Sequence, residues 1–324
     1  MNPIDHRLSI APMMTHTDRH FRYFLRLISR RVMLYTEMIT TGALVHGRQY
    51  RRLEFDAAEH PLGVQLGGSD PAELAVCARL AEDAGYDEIN LNIGCPSDRV
   101  QTGQFGACLM AEPQRVADGV AAMTAATALP VTVKTRIGID DRDSYQELCR
   151  FIETVAAGGC RTFIIHARKA WLQGLSPRQN RDVPPLDYPR VHRLKADYPH
   201  LEIIINGGIN TLEEARTHLE HVDGAMIGRA ACSNPYLLAQ ADAAIFNDSR
   251  HTPTRCEVLD GFMHYAEDQL ASGISLHQMT RHILGLFQGQ AGARLFRRHL
   301  SEKAVKAHAS IEVLTEAAQY VNAA

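Results

Sequence analysis

The sequence lacks any apolar run long enough to cross a membrane. Its longest uncharged stretch, residues 119–133, is interrupted by threonines and Pro130 and falls short of the ~20 apolar residues a spanning helix needs. No apolar segment follows Met1, so neither a secretory signal nor a membrane anchor is expected, and the chain reads as cytoplasmic. Paired cysteines are missing too. Seven cysteines at irregular spacing make no disulfide framework, and without a CxxC or CxxxH pair no metal is expected. No GxGxxG follows the first apolar segment, which disfavours a doubly wound dinucleotide fold. Nor is there an excess of positive charge. The 324 residues carry 34 Lys+Arg against 37 Asp+Glu, and a net charge of −3 by itself argues against a nucleic-acid partner.

What is present is enough apolar content for a large core, 45% of residues, in a regular arrangement. Short apolar, β-branched segments recur at 8–13, 32–38, 62–67, 88–94, 130–137, 162–167, 202–207 and 224–228, with helical patterns between them. Near-continuous apolar runs suit parallel strands covered on both faces, and eight such units predict a (β/α)8 TIM barrel. Helix starts are marked. Asp70-Pro71-Ala72-Glu73 supplies an N-cap acceptor, an early proline and a glutamate placed for a capping box, and Ser144 with Glu147 and Thr211 with Glu214 repeat the pattern. Beyond the polar stretch 247–253 no strand is expected; 255–270, 276–290 and 303–321 read as helices broken at Gly273 and Gly292. The expected division is a catalytic barrel over 1–247 and a C-terminal all-α helical domain over 248–324.

Barrel enzymes gather their functional groups at the carboxyl ends of strands. Those ends carry Ala11-Pro12-Met13, Gln65, Asn92-Ile93-Gly94-Cys95-Pro96, Lys134-Thr135-Arg136, His166 with Arg168, Asn206-Gly207-Gly208 and Gly228-Arg229. The glycines after the last two strands suit a phosphate site, or no more than a tight turn. Lys134 ends an apolar strand, where burial is costly unless an anionic partner compensates. Among the cysteines, Cys77 and Cys149 fall on helical core faces, and Cys108, within 106–110, and Cys232, after the last strand, are each open to a packing role. Only Cys95 joins a strand end to a preceding glycine and a following proline. Its thiol can serve as an acid, or as a nucleophile with His166 as base.

These stretches, with Gly106-Ala107-Cys108-Leu109-Met110, 131–138 and a long loop over 178–188, resemble the flavin-dependent tRNA-dihydrouridine synthases, most closely their bacterial A-type subfamily. The likeness spans nearly the whole chain. It implies FMN at the barrel mouth, reduced by NADPH. Ala11, Pro12 and Met13 would lie against the flavin, Gln65 at its edge, and Lys134 and His166 at its polar ring atoms. Asn206, Gly207, Gly208, Gly228 and Arg229 would hold its phosphate and ribityl chain. Asn92 would face the target uracil, a D-loop uridine at tRNA position 20/20a. The implied reaction passes hydride from flavin N5 to uracil C6 and a proton from Cys95 to C5, giving 5,6-dihydrouridine.

A tRNA substrate changes how the charge is read. Between Arg281 and Lys306 the local balance is +5, from Arg281, Arg294, Arg297, Arg298, Lys303 and Lys306 against Glu302. A charge run is ordinarily a solvated helix face. The resemblance makes Arg294 and Arg297 expected phosphate contacts, with Arg178 and Arg181 of the long loop, and a monomer is expected. Rival readings are an FMN barrel reducing a free pyrimidine or other enone, a flavin-free RNA-binding protein, and a cysteine hydrolase built on Cys95 and His166. The last leaves Lys134 and the glycine pairs unexplained.

Overall fold

In the computed structural model, which describes residues 4–322, the apolar segments form one parallel barrel. Its strands are β1 (Leu8–Ile10), β2 (Leu34–Tyr35), β3 (Ile39–Thr40), β4 (Leu62–Gly67), β5 (Glu88–Ile93), β6 (Val131–Arg136), β7 (Thr162–His166), β8 (Glu202–Asn206) and β9 (Gly224–Ile227). They pair in the order β1-β9-β8-β7-β6-β5-β4-β2, with β3 also on β4. The ring is completed where Met33 donates to the Leu8 carbonyl at 3.1 Å and Ile10 donates to the Met33 carbonyl at 2.9 Å. The expected (β/α)8 architecture is the observed one.

Two strands are shorter than expected, for local reasons. The first stops before Pro12, which has no N–H to offer a ladder. Within the segment 32–38 only Leu34–Tyr35 is strand, and β3 follows just beyond its end. At the interruption a side chain takes over one rung, Gln65 donating its N–H to Thr36 Oγ1 at 3.0 Å.

Helices fill the outer layer: α1 (Arg19–Ile28), α2 (Thr41–Val45), α3 (Pro71–Ala84), α4 (Asp98–Thr102), α5 (Pro113–Ala126), α6 (Tyr145–Ala157), α7 (Tyr188–Asp197), α8 (Leu212–Leu219), α9 (Arg229–Ser233) and α10 (Ala241–Phe246). Ser144 and Glu147 form the full reciprocal capping box on α6. Asp70 and Thr211 cap α3 and α8, but their glutamates turn elsewhere. Glu73 binds Thr41 and His46, and Glu214 accepts from the Asn210 N–H.

The remaining helices are α11 (Arg255–Ala271), α12 (Leu276–Thr280), α13 (Ala293–Lys303) and α14 (Glu312–Asn322), and no strand follows β9 among the described residues. Gly273 and Gly292 break this array with φ of 82° and 74°. The helix expected over 276–290 ends at Thr280. The following residues run as successive turns, since Gly285 lies against α9 so closely that a Cβ would come within 2.5 Å of the Ser233 carbonyl. The helix expected from 303 begins only at Glu312, while α13 occupies the interval before it. This array docks on the first barrel helix: Tyr23 stacks on Tyr265 at 4.0 Å, and Phe24 meets Phe262 edge-on at 5.6 Å.

The barrel interior has two unlike halves. Ala11, Met33, Tyr35, Ile164, Ile204 and Met226 make a small apolar cluster there. Along β4, β5 and β6 the buried set includes Gln65, Glu88, Asn90 and Thr132, whereas Ile89, Leu91, Ile93, Val131 and Val133 belong to the main apolar layer. A TIM barrel ordinarily fills its interior with branched apolar residues. Here one side is polar from the closed end to the mouth.

Candidate active site at the barrel mouth

Cys95 is set by a turn that follows directly from β5. Asn92 Oδ1 accepts the N–H of Gly94 at 3.1 Å and of Cys95 at 3.0 Å, folding the chain back at the strand end. The Cys95 thiol is half-buried and lies 3.4 Å from Ser97 Oγ. Its carbonyl accepts the Ala107 N–H at 2.9 Å. Gly106 has φ of 76°, and a Cβ there would meet that carbonyl at 2.6 Å. The Gly94-Cys95-Pro96 and Gly106-Ala107-Cys108 stretches are therefore two sides of one contact. Cys108 itself donates to the Phe105 carbonyl at 3.2 Å, and burial pushes its thiol pKa up, as expected of a packing cysteine.

Register places the other strand-end residues at neighbouring positions. Asn92 pairs with Lys134 across β5 and β6, Arg136 with His166 across β6 and β7, and His166 with Asn206 across β7 and β8. Lys134 Nζ donates to Asn206 Oδ1 at 2.9 Å, and Asn206 in turn donates to the Met226 carbonyl at 2.8 Å. Burial, with Arg136 adding like charge, pulls the Lys134 pKa down to about 7. Burial also holds the His166 imidazole well below its ordinary range, helped by Arg136 and Lys134, so the ring is neutral. Its Nδ1 is shielded from solvent and has no partner among the described residues. A buried polar nitrogen without a partner is costly in an isolated protein and ordinary in one that holds a ligand there.

The glycines divide. Gly207 and Gly208 have φ of 113° and 71°, and Cβ atoms there would press on Leu186, Tyr188 and His166; turn geometry and packing of the long loop account for both. At Gly228 a Cβ would meet only Ala11 at 3.8 Å and Met13 at 4.0 Å, so its absence leaves room beside those residues. Arg229 turns from this point to Asp182 of the long loop at 2.7 Å, beside an open cleft of ≈ 400 Å³ lined by Asn210, Ser233, Asn234 and Leu237.

In the sequence Arg136 is legible only as a member of the strand end Lys134-Thr135-Arg136, which closes β6, and the structure gives it a larger part. Its guanidinium donates to the carbonyls of Gly94 at 2.9 Å, Lys169 at 3.1 Å and Asn180 at 3.0 Å. It thus ties the Cys95 turn to the long loop. Asn180, fully buried, exchanges hydrogen bonds with the main chain of Trp171 and closes that loop on itself. The signal was alternation: Thr132, Lys134 and Arg136 share a face in a strand.

The basic residues are spread over two surfaces. Arg178 and Arg181 are exposed on the long loop. Arg294 and Arg297 are exposed on α13 and form no ion pair among the described residues, whereas Arg281 is held by Asp18 and Arg298 by Glu302. Arg297 borders a cleft of ≈ 630 Å³ between the array after α10 and the barrel, with Arg281, His282 and Gln288 on one wall and His16, Cys232 and Ser233 on the other. Among the described residues no group of three or more His, Cys, Asp or Glu is placed to hold a metal, and no helix is long and apolar enough to cross a membrane.

Comparison with known proteins agrees with this picture. The chain is 59% identical to the tRNA-dihydrouridine(20/20a) synthase of Vibrio cholerae over 312 residues, covering 96% of this chain and 95% of that one. It is 60% identical to the protein of that name from Escherichia coli K12 over 317 residues, covering 97% and 91%. Among solved structures, an old yellow enzyme homologue from Zymomonas mobilis matches with a TM-score of 0.54 at 12% identity, over 78% of this chain and 91% of that one. A 2-naphthoyl-CoA reductase matches with a TM-score of 0.57 at 10% identity, over 72% and 49%. At such identities these two speak for the barrel fold alone. The model of the dihydrouridine synthase family matches residues 9–322, and with relatives this similar along almost the full length, the chain belongs to that family.

Proposed function

We propose that this protein reduces uridine to 5,6-dihydrouridine at positions 20 and 20a of the tRNA D-loop, with bound FMN as hydride carrier and NADPH as reductant. The relatives of nearly full length carry that activity in their names. The observation that carries the chemistry is the set of neighbouring strand ends: a cysteine on an amide-anchored turn after β5, a buried lysine on β6 near enough to feel its charge, and a neutral imidazole ending β7 whose Nδ1 has no partner among the described residues.

The residues present fit a flavin. His166 Nδ1 needs a partner, the Lys134 ammonium spends one described bond on Asn206 and keeps others to give, and Gly228 leaves space beside Ala11 and Met13. Gln65 and Asn206, on β4 and β8, would hold its ring side, and Gly207, Gly208 and Arg229 would hold its phosphate. When bound, reduced FMN supplies hydride to uracil C6. The protein's own contribution is the proton. As charge builds at C5 and the adjacent carbonyl, Cys95 donates from its thiol, and Asn92 orients the uracil while it holds the cysteine turn. A mouth of this kind admits only a base extruded from the RNA stack. Arg178, Arg181, Arg294 and Arg297 would receive the phosphates around it. The enzyme would act as a cytoplasmic monomer.

The test is nucleotide-resolution mapping of dihydrouridine in tRNA from a strain lacking this protein. Loss confined to positions 20 and 20a is expected, and unchanged dihydrouridine at both overturns the reading. The purified protein should be yellow and bleach on addition of NADPH.

A further inference from the structure

A single file of hydrogen bonds crosses the barrel from the mouth to its closed end. Asn92 Nδ2 donates to Gln65 Oε1 at 2.9 Å, and Gln65 Nε2 donates to Asn90 Oδ1 at 2.8 Å. Asn90 Nδ2 donates to Thr132 Oγ1 at 2.9 Å, and the Thr132 hydroxyl donates to Glu88 Oε1 at 2.6 Å. Gln65, Asn90, Thr132 and Glu88 are all buried. At its far end Glu88 also accepts from the Tyr35 hydroxyl at 2.9 Å, and His6 Nε2 lies 2.6 Å from its other oxygen.

The direction of this file is the same read from either end. A carboxamide can be turned end for end, but a carboxylate only accepts. Thr132 gives its hydroxyl proton to Glu88, the nearer of its two acceptors, and is left to accept from Asn90. Asn90 is then left to accept from Gln65, and Gln65 from Asn92. That order leaves Asn92 Oδ1, an acceptor, facing the N–H groups of Gly94 and Cys95. Reversed, Asn92 would set an NH2 group against two N–H donors. Against the burial that opposes its charge, Glu88 and Glu202 push His6 up to about 10, keeping a cation beside Glu88.

We propose that Thr132 and Asn90 are positioning residues, which act through Gln65 and Asn92 to hold the Cys95 turn, with Glu88 as the acceptor at the far end of the chain. The kinetic consequence rests on the function proposed above; the effect on Cys95 does not.

Thr132→Val keeps the shape of the side chain and removes the hydroxyl, while Thr132→Ser keeps the hydroxyl. Two measurements on the full-length protein separate the cases. One is the rate of Cys95 alkylation by iodoacetamide, resolved by peptide mass spectrometry with the exposed Cys256 as internal reference. The other is kcat and KM for tRNA, with the NADPH-dependent bleaching rate measured separately. Losing the link at Thr132 should change Cys95 alkylation several-fold and lower kcat about tenfold, with KM and bleaching unchanged, as expected when one positioned hydrogen bond is lost. The serine variant should behave as wild type. Should the valine variant fail to fold, Thr132→Ala removes the same hydroxyl and supplies the same comparison. Wild-type alkylation in the variant that folds overturns the proposal, as does equal impairment of the serine variant, which would indicate packing alone. A protein that reduces no uridine, yet whose Cys95 reactivity follows the hydroxyl, overturns the function and leaves the positioning standing. Altered alkylation with wild-type kcat overturns the catalytic consequence.

Discussion

Gly106 stands against the carbonyl of Cys95, at a point where any Cβ would lie 2.6 Å from that oxygen. The neighbouring Ala107 N–H donates to the same carbonyl at 2.9 Å. Segments eleven residues apart in sequence therefore make one clamp: Asn92 grips the cysteine turn by its N–H groups, and the segment from Gly106 grips it by its carbonyl. Arg136 adds a third hold at the Gly94 carbonyl. A proton donor at a strand end has to be kept at a fixed height above the barrel floor, and a thiol side chain with one rotatable bond has little reach of its own. The main chain does the placing.

Gly106→Ala should therefore damage stability and the site together. The residue has φ of 76°, where an alanine is strained by about 1 kcal/mol, and the clash with the Cys95 carbonyl adds about 1–3 kcal/mol of overpacking. Urea unfolding should show a loss of about 2–4 kcal/mol with an unchanged m-value. A variant as stable as wild type would mean that the clamp yields freely.

Cys95→Ala tests the proton donor without disturbing the clamp, since the holds from Asn92, Ala107 and Arg136 are all made to the main chain and only the contact with Ser97 is lost. Uridine reduction should fall by roughly 10²–10⁴, the usual worth of a general acid, while flavin content and NADPH oxidation stay at wild-type levels. Single-turnover reoxidation of the reduced protein by unmodified tRNA isolates the step. Full reduction by the alanine variant removes Cys95 from the chemistry. Activity in Cys95→Ser would not, because a hydroxyl can also deliver a proton.

Most of the barrel was legible because outward residues such as Ile89, Leu91 and Ile93 are read directly as apolar runs. The inward residues between them, Glu88, Asn90 and Asn92, alternate with period two. Their partners Gln65 and Thr132 come from other strands, so the file they form depends on register. Lys134 was conspicuous as a charge ending an apolar strand. Arg136 carried the same signal two residues later, but its three carbonyl partners belong to loops whose courses are not encoded locally. On α13, Ala293, Phe296 and Leu300 have helical spacing and are buried, yet the surrounding arginines drew the reading toward charge. The turns after Thr280 are the opposite case. Ile283, Leu286 and Phe287 have helical spacing too, and the close approach of Gly285 to Ser233, a tertiary constraint, overrides it.

The closed end of the barrel should show a particular pH dependence. His6 is raised from 6.5 to about 10 in the folded chain, so its pairing with Glu88 and Glu202 contributes fully below about pH 6.5. That contribution declines as pH rises and is gone once the folded group titrates near 10. His6→Gln should cost about 3–5 kcal/mol near pH 6, as for breaking a buried pair. The gap to wild type should narrow steadily as pH rises through 10, above which His6 is neutral in both states. Urea denaturation of the two proteins across this range decides it; a gap independent of pH would mean that His6 carries no proton in the fold.

The two basic surfaces can be separated by the salt dependence of tRNA binding. A cation that neutralises a phosphate releases condensed counterions, steepening the slope of log K against log salt by about 0.7–0.9 per contact. Arg294 and Arg297 on α13, and Arg178 and Arg181 on the long loop, are exposed and without ion pairs among the described residues, so each is free to act this way. Arg298 is exposed as well, but Glu302 already occupies it at 2.8 Å. Removing Arg298 should leave the slope nearly unchanged, because a carboxylate-paired guanidinium displaces fewer counterions. Replacing Arg297 or Arg181 by alanine should make the slope shallower by about 0.7–0.9. Removing one from each surface should give the sum, since contacts on separate elements do not share a phosphate. Unchanged slopes in all four single variants would take these surfaces out of the tRNA interface. A loss confined to Arg178 and Arg181 would place the RNA over the long loop alone and leave α13 as an ordinary solvated face.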